Sequence, residues 1–225
     1  MRRIEAPPSL AQSVADQIRD EILSGRLPSG QRLVEARIAD TLDVSRGPVR
    51  EAFKLLCAEG LLEEEPRRGM YVVSLSADDV REIYDLRAAL EGRAALLLAG
   101  SHRDADIQEL HKRLSQLEAA AARGDIRAVS KADLEFHDAV VRLSRNRRIH
   151  SVFTRHVPLL KTLIPLDEHL YRSMDEIAFE HRPMLEAIEA GDPELARDRF
   201  VAHVERARDL VAEYIETHPD YLVDG

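Results

Sequence analysis

Apolar residues recur at helical spacing along nearly the whole chain, with one interruption about a third of the way in. Leu10, Val14, Ile18 and Ile22 form a first stripe that ends at Ser24-Gly25. Leu27-Pro28-Ser29-Gly30 reads as a turn-rich connection, and a short helix over about 34–42 turns Ile38 and Leu42 inward. After a turn at Asp43, Val49, Ala52, Phe53 and Leu56 mark a helix from Ser45 to about Glu59, with Gly60 as its C-cap. Ser45 can accept a backbone N–H at that helix start, and Pro48 is tolerated in its first turn. Leu61–Glu65 and Met70–Val73 read as short strands joined by the turn Pro66-Arg67-Arg68-Gly69. Three helices and then a hairpin is the order of a winged helix-turn-helix.

Beyond Ser76 the sequence carries no strand signal. Long periodic helices are predicted over 77–99, 103–123, 125–145, 147–170, 173–190 and 192–216, broken at Gly100, Gly124, Gly191 and Pro193. Asp125 and Asp192 stand where N-caps are wanted. The expected fold is mainly α: a winged helix-turn-helix over 1–75 with a β-hairpin wing, and an all-α bundle of about six helices over 76–225. No spacing repeats at a fixed period, which disfavours a solenoid.

Composition sharpens this in two places. The net charge of −9 would argue against a nucleic-acid partner if it were evenly spread. Residues 1–75, however, hold 11 Lys/Arg and 12 Asp/Glu, a net −1, while 76–225 hold 21 and 29, a net −8. A near-neutral domain can present a basic face. Arg46, Arg50 and Lys54 follow one another at i, i+4 and i+8 beside the apolar stripe of their helix, and basic residues near the start of an anchored helix suit a major groove. The bland alternative is a solvated charged face. The single cysteine, Cys57, excludes an internal disulfide framework and lies beside its helix's apolar stripe, so a packed thiol is expected. Met1-Arg2-Arg3 is followed by no apolar run, and no stretch approaches a membrane span, so a cytoplasmic protein without a membrane partner is expected.

Polar residues on apolar faces carry the second signal. Asp133 and His137 share the stripe of Val129, Phe136, Val140 and Leu143; His181 lies among Ile177, Met184 and Ile188; His203 lies among Phe200, Ala207, Leu210 and Tyr214. Any one histidine reads most simply as a hydrogen-bonded core residue. A carboxylate and three imidazoles together are better relieved by one divalent cation. Zn²⁺ suits the set best, with Ni²⁺, Mn²⁺ and Co²⁺ as alternatives. His156 sits near a stripe of Phe153, Leu160 and Leu163 without motif support. Arg87 shares a face with Ile83, Leu90 and Ala94, so it faces either an internal pair with Glu91 or Asp133, or a ligand carboxylate.

The run Gly25–Gly30, the segment Val44–Ala52, the exit Glu59-Gly-Leu-Leu62 and the wing residues Arg68-Gly69 resemble GntR-type transcriptional regulators, and the helical remainder resembles the FCD effector domain of the FadR subfamily. The resemblance implies that Arg46 and Arg50 contact operator DNA, with the wing at Arg67, Arg68 and Gly69 in or along the minor groove. Ser45, Gly47 and Pro48 complete the turn, and Arg37 stands one position after Ala36, where the family often has arginine. Asp43 replaces the glycine usual in the turn; Asp tolerates a left-handed conformation better than most residues. Metal-binding FCD members carry an Asp-x3-His pair and two later histidines, implying the same four ligands. The function implied is a homodimeric repressor on a palindromic operator of double-stranded DNA, modulated by a small organic acid that meets the metal and Arg87. The competing reading is a helical metal-dependent hydrolase with an appended interaction domain; a third is a purely structural metal.

Overall fold

The computed structural model describes residues 9–171 and 173–218, which divide into two compact units: one runs to Leu75 and also takes His218, and the other is Ser76–Thr217. In the first, α1 (Leu10–Leu23), α2 (Glu35–Leu42) and α3 (Arg46–Ala58) stand beside a small antiparallel sheet of β1 (Arg32–Leu33), β2 (Leu62–Glu65) and β3 (Gly69–Val72) in the order β1-β3-β2. Val14 and Ile18 of α1 close on Val49, Phe53 and Leu56 of α3, over Leu62 and Val72 of the sheet. This core holds α3 by one face and leaves the opposite face to solvent.

Four details differ from the sequence-based expectation. Leu10 is 53% exposed, because the first turn of α1 lies beyond the core; Ile38 and Leu42 are only half-buried. β1 was not foreseen: it is two residues long, too short to alternate, and exists because it pairs the second edge of β3. Ser45 occupies the N-cap of α3 in extended geometry, yet its hydroxyl bonds no helix N–H, so the predicted cap bond is absent. The turn before it is held at Asp43, which caps α2 in the left-handed region at φ 51°.

The second unit is all-α among the described residues: α4 (Ala77–Ala99), α5 (Asp104–Ala122), α6 (Ile126–Leu143), α7 (Arg147–Leu170), α8 (Met174–Glu189) and α9 (Pro193–Thr217). The caps explain the starts. Ser76 and Asp79 form a reciprocal capping box on α4, Asp125 accepts from the Ala128 amide, and Asp192 accepts from the Leu195 amide at 3.0 Å. α4 runs along α9 at close range, where a Cβ on Gly92 would lie 2.6 Å from Val201 Cγ2. Polar residues of α4 in turn meet those of α6 and α9.

Candidate metal centre and nucleic-acid interface

Asp133 and His137 project from successive turns of α6, His181 from α8 and His203 from α9, each at a position where its helix turns an apolar stripe inward. One ligand atom from each of the four lies within 4.8 Å of every other. His137 and His181 are fully buried, Asp133 is 5% exposed, and the His203 side chain is nearly so enclosed. Phe136 meets both His137 and His181 edge-on, at 5.8 and 5.2 Å between centroids, and stacks on Phe200. The cluster therefore sits in an aromatic, water-poor shell.

Two outer contacts decide which nitrogens face the centre. His181 Nδ1 lies 2.8 Å from the Ile177 carbonyl. A carbonyl only accepts, so Nδ1 carries the hydrogen and Nε2 keeps its lone pair when the ring is neutral. His137 Nδ1 meets the Glu91 carboxylate in the same way. The two Nε2 atoms then face each other at 3.1 Å, and Asp133 Oδ1 stands 2.9 Å from one and 3.7 Å from the other. Acceptors are aimed at acceptors. Only shared protons or a cation relieves that arrangement, and oriented histidines backed by a carboxylate and a carbonyl are what a bound metal wants.

The charges agree. Burial alone would raise the Asp133 carboxyl, but His137, His181 and Arg87 outweigh it and hold it well below the usual range. Burial likewise opposes ionisation of Glu91, and His137 and Arg87 bring it down to about 2. His203 is pushed well below its usual value, by burial first and by His181 and His137 next, so it is held neutral, the form that ligates metal. The residues present fit a divalent ion.

Arg87 is 3% exposed and makes the internal pair, one of the two readings the sequence left open. Nε donates to Glu91 Oε1 at 2.7 Å, so the internal pair exists. Nη2 stays 4.0 Å from Asp133 Oδ2 and, although buried, has no hydrogen-bond partner. That leaves one charged donor beside the cluster for an incoming acceptor. Glu91 is the residue whose place the sequence underplayed. Its spacing from Arg87 was legible, but its second oxygen goes to a histidine 46 residues away. His156 is not drawn into the cluster; its half-buried ring lies on α7, with Nδ1 unpartnered.

In the first unit, Arg37, Ser45, Arg46, Gly47, Arg50, Arg67 and Arg68 are exposed, with Pro48 and Gly69 half-buried. Arg50 is tied to Glu35 of α2 by two bonds, at 3.0 and 2.9 Å, which fix its guanidinium across the surface of α3. Lys54 pairs with Glu51 at 2.9 Å, a solvated helix face as the bland reading has it. Arg68 pairs with Glu65 and lies 5.6 Å from the Tyr71 ring centre, and Arg67 takes the left-handed turn position at φ 68°.

A three-helix, winged unit and a helical unit with a buried polar centre define a class: DNA-binding regulators that carry an effector domain. Residues 10–72 match the gntR family of bacterial regulatory proteins and residues 82–206 match the FCD domain, so the chain belongs to the GntR family and has the FadR-type architecture. It is 37% identical over 197 residues to a Paenarthrobacter nicotinovorans protein named "Probable D-xylose utilization operon transcriptional repressor", covering 85% of this chain and 86% of that one. It is 28% identical over 205 residues to the gluconate operon transcriptional repressor of Bacillus subtilis (strain 168), covering 89% and 84%. Among solved structures, a GntR transcriptional regulator from Rhodococcus sp. RHA1 superposes with a TM-score of 0.74 at 27% identity, over 92% of this chain and 99% of that one. Escherichia coli McbR/YncC shares the fold, with a TM-score of 0.75 at 21% identity over 92% and 99%. The chain is a DNA-binding transcriptional regulator and not an enzyme, which sets aside the hydrolase reading of the buried cluster. No helix among the described residues is long and apolar enough to cross a membrane.

Proposed function

We propose that the chain is a ligand-responsive repressor. In this reading residues 1–75 bind a palindromic operator, residues 76–225 sense a small carboxylate, and the chain works as a homodimer. Arg46 and Arg50 read the major groove from the start of α3, Arg37 supports them from α2, and the wing at Arg67, Arg68 and Gly69 follows the minor groove. Ser45, Gly47 and Pro48 bring the backbone close to the duplex at the turn.

In the helical unit, Asp133, His137, His181 and His203 hold a divalent ion, with Zn²⁺ best suited to the ligand set and Ni²⁺, Mn²⁺ and Co²⁺ as competitors. When bound, that ion supplies positive charge to a ligand carboxylate in a site from which water is largely excluded. Arg87 orients the same carboxylate through Nη2, while Glu91 keeps Arg87 and His137 in place. The observation that carries this reading is the buried Nη2, without a hydrogen-bond partner, beside converging acceptor atoms. The gluconate operon in one relative's name fits a sugar-acid effector, whereas the D-xylose operon in another's points to a neutral sugar.

The test is calorimetry on chelator-stripped protein. Zn²⁺ should bind at one equivalent, and gluconate and citrate, used as probes, should then be compared on the metal-loaded wild type and R87Q. Carboxylate binding that needs the metal and is lost in R87Q supports the reading. Metal binding that raises the melting temperature, with no carboxylate bound in either protein, would make the ion purely structural. Absence of metal binding would remove the centre altogether.

A further inference from the structure

The cations of the winged unit fall into two groups that the sequence does not distinguish. Nine Lys and Arg residues are described there. Five are tied to carboxylates: Arg19 to Asp16 and Glu59, Arg26 to Glu21, Arg50 to Glu35, Lys54 to Glu51 and Arg68 to Glu65. The other four, Arg32, Arg37, Arg46 and Arg67, make no ion pair within 4.0 Å among the described residues, although Arg46 is close enough to Glu35 to help lower its carboxyl. Three of these are already expected at DNA. Arg32 is not.

Its position is specific. Arg32 opens β1 and stands opposite Tyr71 of β3, while its neighbour Leu33 is buried in the core at 5% exposure. Alternation along the strand therefore puts Arg32 on the outward face of the sheet, the face of Tyr71 and of the Arg68 guanidinium lying against that ring. The Arg32 guanidinium folds over the wing turn: a Cβ on Gly69 would lie 3.4 Å from its Nε and 3.5 Å from its Nη2. Glycine at 69, with φ 113°, gives the turn its shape and leaves this room. Glu63 also faces Tyr71, but from β2 on the far side of β3, about two strand spacings, or roughly 10 Å, from Arg32. Arg32 thus keeps its donors free, exposed and held against the wing.

We propose that Arg32 is a DNA-backbone contact: its guanidinium, seated on the wing turn, takes a phosphate of the duplex beside the wing. A residue on the strand flank, away from the start of α3, positions the protein and reads no base. The assignment rests on the DNA-binding reading of the winged unit.

The test uses full-length protein, the tightest duplex from in vitro selection, and a scrambled duplex of equal length, with anisotropy measured over a salt series. R32Q should weaken binding about tenfold on both duplexes, as expected for loss of one charge-assisted bond. The log–log salt slope should fall by about 1, the signature of one lost phosphate. R32K should restore the slope, and R46A should lose affinity chiefly on the selected duplex. Unchanged affinity and slope in R32Q, with normal wild-type binding, overturns the assignment alone. A loss confined to the selected duplex overturns it too, because it would make Arg32 a base reader. Wild-type protein that bound neither duplex would overturn the DNA reading along with it.

Discussion

Glu91 shows how much of the buried centre depends on a residue that is not itself one of the four candidate ligands. Its two oxygens fix Arg87 on one side and His137 on the other, so a single carboxylate sets both the donor direction and the ring tautomer. Outer partners of this kind typically alter metal affinity about 10- to 100-fold when changed. E91Q should therefore weaken Zn²⁺ binding by about that factor in a competitive chelator titration, whereas D133N should abolish tight binding. Equal affinity in E91Q and wild type would mean that His137 orients itself without Glu91. The protonation pattern adds a second prediction. His203 and half-buried His156 are both lowered from 6.5, by burial above all. The unfolded chain therefore takes up these protons before the folded one does, and the stability they contribute is complete above 6.5 and lost as pH falls below it. Glu91 adds a second loss between its usual 4.5 and its folded value of about 2. The melting temperature of metal-stripped protein should fall as pH is lowered from about 7.5 to 5 and again below about 4.5. A flat profile down to pH 5 would show that the imidazoles do not resist charging.

At the level of elements, legibility followed the length of the pattern. α4 and α7 were readable to their ends because 23 and 24 residues give many turns of periodicity and because Ser76 and Asn146 cap their starts. β1 was not, since two residues cannot show an alternation and its pairing depends on partners 37 and 39 residues later. The four cluster residues were readable as polar intrusions into apolar stripes; the direction of each nitrogen was not, because Ile177 O and Glu91 supply it from other turns and helices. Asp43 was readable as a left-handed turn residue, and its φ of 51° predicts that D43G leaves stability unchanged or raises it by up to about 1 kcal/mol. The α4–α9 contact gives the opposite sign. Gly92 has Val201 Cγ2 at 2.6 Å from where a Cβ would stand, so G92A should cost about 1–3 kcal/mol in urea unfolding despite alanine's better helix propensity. An unchanged midpoint would mean that the two helices slide apart freely. A loss of metal affinity in the same variant would tie this packing to the centre, since Arg87 and Glu91 lie on α4 within the turn and a half before Gly92.

For the whole molecule, a metal or carboxylate bound in one unit can alter DNA affinity in the other only if it binds two arrangements of the protein unequally. The coupling is then reciprocal: if loading the centre changes operator affinity by some factor, operator DNA must change affinity at the centre by the same factor. Couplings of this kind commonly amount to about 1–3 kcal/mol, or roughly 5- to 150-fold. For a repressor released by its ligand, gluconate or another carboxylate that binds the Zn²⁺-loaded protein should weaken binding to the selected duplex within that range. Saturating duplex should weaken the carboxylate by an equal factor. R87Q should lose both halves while keeping basal DNA affinity, because Arg87 lies in the helical unit, where its guanidinium pairs with Glu91. Measuring both legs of the cycle by anisotropy and calorimetry makes the claim strict. Tight carboxylate binding that left operator affinity unchanged would leave a metal-dependent binding site without a regulatory link, and a ligand that strengthened operator binding would make the protein a co-repressed regulator instead of an induced one.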